Sequence, residues 1–517
     1  MPFQERTYQV DASFTMPDLE PCTPPGGKVR AGPPGILRAT YYDTADRRLA
    51  RSGVFLRHLR GEAPTTAWTV RLPAGATGTR TEVSRPGGPT AVPDELCWLV
   101  AGYARGAALA PAAVLRSVRR AYQILDRTDR PVAEVADDTV TVLDGRRVAL
   151  SFREIEVERL ADPPDQLDRI EAALCQAGAV AGEFPAKHVR AMGAPAARPP
   201  DLVPPGDPGA DPSARDVVVA TLRHDIERIV EHDPFVRLRA PLRGGATPVQ
   251  LMLAGCHRLC CHLDTFGALL EDDWSAKLGA EVSWLATRLD AARDGEVLRV
   301  RLHRTAAADP LAPLDPVAVA RIDADLTARH EDALTALDRA ISSERYLALL
   351  ELLVGAAARP ALTKAARGPA SDLLPALAGA AWRDLAVGCD GRLGAGSLEP
   401  DAPDEEWHEV RIRARQARYA AEAVVTAGAG VPGRPPGPEA LAAALAALQG
   451  VLGEHRDAAT AAGTWLDIAD ADPDDHPLAV TAGRLHERER AAVRRARDNF
   501  DEAWRTAGRK RAVAWLT

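Results

Sequence analysis

The sequence predicts an α+β chain of separate domains, mainly β at its N-terminal end and all-α beyond. Three observations predict it. Apolar residues alternate with a period of two as far as about residue 192, the spacing that gives a strand one buried side. Residues 193–215 then carry seven prolines without apolar periodicity, the composition of a semi-rigid linker. Beyond them the apolar period becomes 3.6, which is helical. A chain of 517 residues exceeds one ordinary core, so two or more domains of about 150 to 300 residues are expected. The boundaries are set at 1–195 for the β domain, 196–213 for the linker and 214–517 for the helical domain.

In the first part, strands are predicted at 3–12, 37–42, 54–60, 68–72, 80–85, 114–125, 132–136, 140–143 and 148–158, between Gly, Pro and Asp turns. Two helices, 94–107 and 164–177, interrupt them with Leu, Ile and Ala at helical spacing. Alternation places Glu154, Glu156 and Glu158 on one face of the last strand, with Ile155 and Val157 on the other. Like carboxylates on one face repel unless cations meet them. Arg57, Arg71, Arg80 and Arg119 alternate in the same way on other strands. A closed sheet with such walls would be a polar tunnel, its carboxylates holding a hard divalent ion and its Arg and Lys residues holding phosphates. A water-exposed sheet face laced with cross-strand ion pairs would give the same pattern.

In the second part, helices are predicted at 214–232, 248–270, 274–292, 317–342, 344–355, 370–389, 405–426, 438–448 and 480–506. Within them, WHEVRIRARQARYAAE (407–422) places His408, Arg411, Arg415, Arg418 or Tyr419, and Glu422 along one stripe. Val410, Ala414, Ala417 and Ala421 form an apolar stripe beside it. Guanidinium groups stay charged and offer planar forks of donors, so such a row suits an extended anion rich in phosphate oxygens. A solvated face with salt bridges is the competing reading. The stretch LDAARDGEVL (289–298) echoes LGEHRDAATA (452–461), pointing to two bundles of similar design. The helix at 249–266 matches the basic one in place, but Arg258 is its only fixed cation.

The formal charge of -8, from 64 basic and 72 acidic residues, argues against a general nucleic-acid coat, so any anion site must be local. No apolar run is long enough to span a membrane, and the first residues lack the apolar core of a secretion signal. A cytoplasmic protein is expected. Seven cysteines without framework spacing fit reduced thiols, and the Cys256, Cys260 and Cys261 group reads as core packing.

The motifs YYDTADRRLARSGVFLRHL, AWTVRLPAG, TRTEV, AEVADDTV, FREIEVE and PAKHVRAM occur in an order that resembles a CYTH domain. That resemblance implies an antiparallel eight-stranded β-tunnel that binds triphosphate compounds and, in active members, hydrolyses them with Mg²⁺ or Mn²⁺. It implies phosphate contacts at Arg57, Arg71, Arg80, Arg119 and Lys187, catalytic carboxylates at Glu5, Glu154 and Glu156, and metal-side carboxylates at Glu82, Glu154, Glu156 and Glu158. Two departures count against hydrolysis. The family's opening Glu-x-Glu-x-Lys is here Phe3-x-Glu5-x-Thr7, and the second Arg of its Arg-x-Arg strand is Leu59.

The stretch 407–422, taken with LGEHRDA (452–458), resembles a CHAD domain, an all-helical module whose implied ligand is inorganic polyphosphate. By that resemblance His408, Arg411, Arg415, Arg418, Tyr419 and His455 would bind it, with Arg258 from the matching helix; position 415 carries Arg where the family usually has Lys. The expectation is a polyphosphate-binding protein whose tunnel holds a triphosphate or chain end, with Mg or Mn needed only if the tunnel is active. An active Mg- or Mn-dependent inorganic triphosphatase and a decayed interaction scaffold are the alternatives.

Overall fold

A computed structural model describes residues 5–61, 67–73, 81–161, 166–239, 245–427 and 437–516. The chain divides into two compact units, Met1–Asp201 and Leu202–Thr517.

The first unit is built on one antiparallel sheet. Its strands are β1 (Glu5–Val10), β2 (Lys28–Ala31), β3 (Gly35–Asp43), β4 (Phe55–Arg60), β5 (Ala67–Leu72), β6 (Thr81–Pro86), β7 (Ala110–Leu125), β8 (Pro131–Asp144), β9 (Arg147–Arg159) and β10 (Val180–Ala181). Across the sheet the order is β10-β1-β9-β8-β7-β3-β4-β5-β6, with β2 beside β7. This corrects the expected eight-stranded tunnel: the sheet has ten strands, and among the described residues no backbone pairing joins its ends. The strands β2 and β10, of four and two residues, are too short to show alternation. Runs 132–136 and 140–143 are one strand, because Asp137 and Asp138 are held within the ladder by Arg153 and Arg119 at 2.9 and 2.8 Å.

Register sorts the side chains onto two faces, since directly paired residues point the same way. One face carries Gln9, Glu154, Asp138 and Arg119 in one row, and Glu5, Glu158 and Glu134 in another. Further along the same face lie Tyr41, Arg57 and Thr69, then Phe55, Arg71 and Glu82. The sheet curls toward this face, bringing Arg71 on β5 within 3.7 Å of Glu5 on β1 at the far side of the strand order. Helices α1 (Arg48–Arg51), α2 (Asp94–Leu99) and α3 (Ala101–Ala104) follow strands, and the last two replace the single helix predicted at 94–107. On the outer face, Tyr8, Val135, Ile155 and Val157 pack with Leu167, Ile170 and Leu174 of α4 (Gln166–Gln176). On the inner face, Ala191 and Met192 of α5 (Lys187–Met192) pack against Tyr41, Phe55, Leu115 and Val140.

The second unit contains α6 (Ala214–Leu238), α7 (Pro248–Thr265), α8 (Asp272–Ala306), α9 (Pro316–Ile341), α10 (Glu344–Ala358), α11 (Ala370–Val387), α12 (Asp404–Ala427), α13 (Gly437–Asp470), α14 (His476–Ala507) and α15 (Lys510–Val513). Ser213 with Asp216, and Thr247 with Gln250, form capping boxes that fix the starts of α6 and α7. Helices α8 and α13 run far past the predicted 274–292 and 438–448, carrying Gly295, Gly450 and Gly453 inside them. Packing follows the chain from α6 to α9 and again from α11 to α14. Each helix of the first series also touches its counterpart in the second: α6 on α11, α7 on α12, α8 on α13, α9 on α14. Trp465 anchors one core cluster among Leu302, Ile322, Leu326, Leu478 and Leu485. No helix among the described residues is long and apolar enough to cross a membrane.

Candidate functional site

The basic cleft of the helical unit forms where α7, α8, α12 and α13 come together. Helix α12 opens with Asp404, Glu405 and Glu406, which suit the positive end of its dipole. Its apolar side, Trp407, Val410, Ala414, Ala417 and Ala421, is buried, and Trp407 stacks on His455 with ring centres 4.9 Å apart. Another side presents His408, Arg411 and Arg415 at steps of three and four, with Ile412 next to Arg411. With His257 of α7, Asp290, Arg293 and Asp294 of α8, and Arg456 of α13, they line a cleft of about 300 Å³.

Arginines outnumber carboxylates in the lining of this cleft, four to two. Arg411 Nε, Arg415 Nε and His408 Nδ1 are buried with no hydrogen-bond partner among the described residues. Burial, then the charges of Arg415, Arg293 and Arg456, push the Arg411 guanidinium below its ordinary value, with Asp457 opposing. Burial likewise lowers His408, helped by Arg456, Arg411 and Arg415. His257, 3.5 Å from Asp290, is lowered by burial and by Arg415 and Arg411, against the pull of Asp290. Two further cations of the group are tethered: Arg293 bridges Asp457 of α13 at 2.8 Å and Asp294 at 2.9 Å, and Arg456 donates to Thr460 Oγ1 at 2.6 Å.

Other residues expected to bind the polyanion have partners within the protein or are buried. Arg418 donates to Glu422 at 2.7 Å and to Gln449 at 3.2 Å. Arg258 is held by Asp225 and by Glu422, at 3.2 and 2.5 Å, with its guanidinium 4.5 Å from the centre of the Tyr419 ring. Tyr419 is itself buried, and burial pushes its hydroxyl up. His455, 2% exposed, accepts from Arg497 Nε at 3.2 Å; burial, outweighing Asp404, holds it down at about 4. Arg293 and Arg456 were missed by the sequence reading. Their signal was present: both stand in the Arg-Asp dipeptides of the echoed segments 289–298 and 452–461.

On the inner face of the sheet, the expected carboxylates separate into two groups. Asp138, Glu154 and Glu156 come together, with ligand oxygens within 4.8 Å of one another. Glu158 lies instead near Glu5, Glu134 and Glu82, and burial followed by their charges pushes it up against the pull of Arg71. Glu82 meets Arg71 at 3.2 Å and Arg57 at 3.9 Å. Of the four carboxylates expected on the metal side, Glu154 and Glu156 stand together and are joined by Asp138, while Glu82 and Glu158 lie in the other group. Asp138 was legible only through register, since it pairs with both Arg119 and Glu154. Arg80 and Phe3 lie outside the described residues. Between the cationic and anionic zones sits His188, stacked on Tyr41 and pushed down to about 3 by burial and by Arg71, Arg57 and Lys187.

The Asp138, Glu154 and Glu156 group does not fit a divalent ion as it stands. Lys187 Nζ lies 2.8 Å from Asp138 Oδ2, 2.9 Å from Glu156 Oε1 and 3.3 Å from Glu154 Oε1. Arg119 grips both oxygens of Asp138, at 2.8 and 2.5 Å, and reaches Glu156 Oε2 at 2.8 Å. Arg190 is 3.4 Å from Glu154 Oε2. Burial raises Asp138, but Arg119 and Lys187 outweigh it and hold the carboxyl below the usual range. For Glu154 burial wins over Lys187, and its carboxyl is raised.

The fold and cleft of the second unit define an all-helical module with a basic groove between packed helices. Residues 220–466 match the family model of the CHAD domain, so this stretch is a CHAD domain. Among solved structures, the chain is similar to PptA from Streptomyces chartreusis at 27% identity and a TM-score of 0.46, covering 57% of this chain and 99% of that one. It is similar to the CHAD domain of the plant Ricinus communis at 22% identity and a TM-score of 0.40, over 61% of this chain and 96% of the other. A candidate adenylate cyclase from Bacillus halodurans is similar at 16% identity and a TM-score of 0.24, over 37% and 98% of the two chains. Comparison with curated proteins returned no match.

Proposed function

We propose that the protein binds inorganic polyphosphate, gripping the chain in the cleft of its CHAD domain. The observation that carries this reading is the pair Arg411 and Arg415, whose buried Nε atoms have no protein partner among the described residues. They stand in a cleft lined also by Arg293 and Arg456. An uncompensated buried cation is costly to hold, and an anion with closely spaced charges relieves that cost at several groups together. Polyphosphate has that spacing, and the resemblance of 407–422 and 452–458 to CHAD domains implies the same ligand. We assign the sheet unit, read as CYTH-like, a holding role for a triphosphate or chain end at Arg57 and Arg71, with hydrolysis weak or lost.

Titration of the full chain with polyphosphates of defined length, at three or more salt concentrations, tests this. Each phosphate contact contributes about -0.7 to the slope of log K against log salt, by analogy with single-stranded nucleic acid. With four arginines lining the cleft, the slope should lie near about -3. Absent or salt-independent binding would overturn the reading. Robust phosphate release from tripolyphosphate with Mg²⁺ or Mn²⁺ would instead favour the active triphosphatase.

A further inference from the structure

We propose that the sheet unit carries its own resident cation: the Lys187 ammonium occupies the place among Asp138, Glu154 and Glu156 that a divalent ion would need, so no divalent ion is held there. The oxygens of the three carboxylates are close enough to share one ion, and Lys187 Nζ already touches one oxygen of each. An ammonium has three N–H directions to offer, and three carboxylates receive them.

The remaining oxygens are taken too. Arg119 covers Asp138 Oδ1 and Glu156 Oε2, and Arg190 faces Glu154 Oε2. Three negative charges thus meet three positive ones, and each of the six carboxylate oxygens faces a cation. Adding a divalent ion would leave an excess of two positive charges beside Asp138 and Glu154, which are 0% and 2% exposed. Uncompensated charge at such a place is strongly disfavoured, so the ion would first have to expel Lys187. That expulsion is opposed by packing, because Lys187 begins α5 and α5 is anchored through Ala191 and Met192 on Tyr41, Phe55 and Val140. The ammonium balances charge, but it cannot lower the pKa of a bound water as a divalent metal does.

The test is a Mn²⁺ titration of the full chain, read by the electron paramagnetic resonance signal of the free ion. Wild-type protein should take up no Mn²⁺ that Glu156→Gln abolishes. Lys187→Ala should gain one Mn²⁺ per chain, with an affinity on the order of tenfold or more above any wild-type uptake, because ligand charge count sets such affinities. The double variant Lys187→Ala, Glu156→Gln should lose it again. Wild-type uptake of one Mn²⁺ that Glu156→Gln removes would overturn the proposal, as would a folded Lys187→Ala protein that takes up none. Lys187→Met, which keeps the apolar stem, serves as the second variant. If both variants unfold, recovery of the circular dichroism spectrum with Mn²⁺ is the expected result, and no recovery is the overturning one.

Discussion

The helical cleft and the inner face of the sheet use the same side chains to opposite ends. In the cleft, Arg411 and Arg415 are half-buried, and their buried Nε atoms meet no hydrogen-bond acceptor among the described residues. On the sheet, half-buried Arg119, Lys187 and Arg190 pair with Asp138, Glu154 and Glu156 until the charges cancel. The number of cations is similar, yet only the first set is available. Whether a basic residue is open to a ligand thus depends on its internal partners, and this can be read only after the fold has brought the carboxylates into place.

The comparison is broken or sharpened by four sets of variants and conditions, taken from the largest expected effect down. Replacing Arg411 and Arg415 together by Ala removes two charge-assisted contacts of about 1.5 to 3 kcal/mol each. Polyphosphate affinity should fall roughly 100-fold or more, and the salt slope should flatten by about 1.4 units. No loss in a titration would put the site elsewhere. Arg293→Ala should cost about tenfold, less than the pair because Asp457 and Asp294 already share that guanidinium. An unchanged affinity would confine the site to α12 and α13.

Arg258→Ala should reverse the pattern. It leaves Glu422 and the fully buried Asp225 short of a counterion, so chemical denaturation should report a loss of about 2 kcal/mol. Polyphosphate affinity should stay within about twofold, since Arg258 does not line the cleft. A strong affinity loss with unchanged stability would show that its ion pairs open in solution.

The smallest effect concerns pH. His257 and His408 are held below the ordinary histidine range, first by burial and then by neighbouring arginines. In the free chain both are neutral near pH 7. A bound polyanion offsets the arginine charges and raises both, so binding takes up protons and should strengthen roughly three- to tenfold between pH 7.5 and 6. The free chain behaves oppositely. Unfolded histidines, with pKa about 6.5, bind protons that the folded ones refuse, so stability from these groups is complete above that value and falls as pH drops below it. Melting curves with and without polyphosphate, at several pH values, should diverge as pH falls. Parallel curves would remove the histidines from the site.

Much of this organisation was legible in the sequence, and the failures have physical causes. The change of period from two to 3.6 located the sheet and the helices because one-sided burial writes that pattern directly. It split β8, because Asp137 and Asp138 look like turn residues until Arg153 and Arg119 arrive from neighbouring strands. It cut α13 short at 448, where Gly450 and Gly453 read as breakers although the surrounding helices hold them in line. The helical stripe of α12 gave Arg411 and Arg415 correctly as one face, but included Arg418. Arg418 shares that face and lies further along the axis, where Glu422 one turn later ties it down. Asp138 and Arg293 could not be weighed from their own segments, because what gives them a role is a partner far away in the chain.

The position of α5 in the chain also orders events on the ribosome. The carboxylates Asp138, Glu154 and Glu156 belong to strands complete by Arg159, whereas Lys187 and Arg190 are translated later, on the last helix of the unit. Until that helix leaves the exit tunnel, Asp138 and Glu156 have only Arg119 of these cations, and Glu154 has neither Lys187 nor Arg190. A nascent chain ending after β10 is therefore expected to hold its hairpins loosely, and the sheet to consolidate in one late step when α5 docks. Proteolysis of stalled chains of increasing length should show protection of β8 and β9 appearing only once residue 192 has emerged.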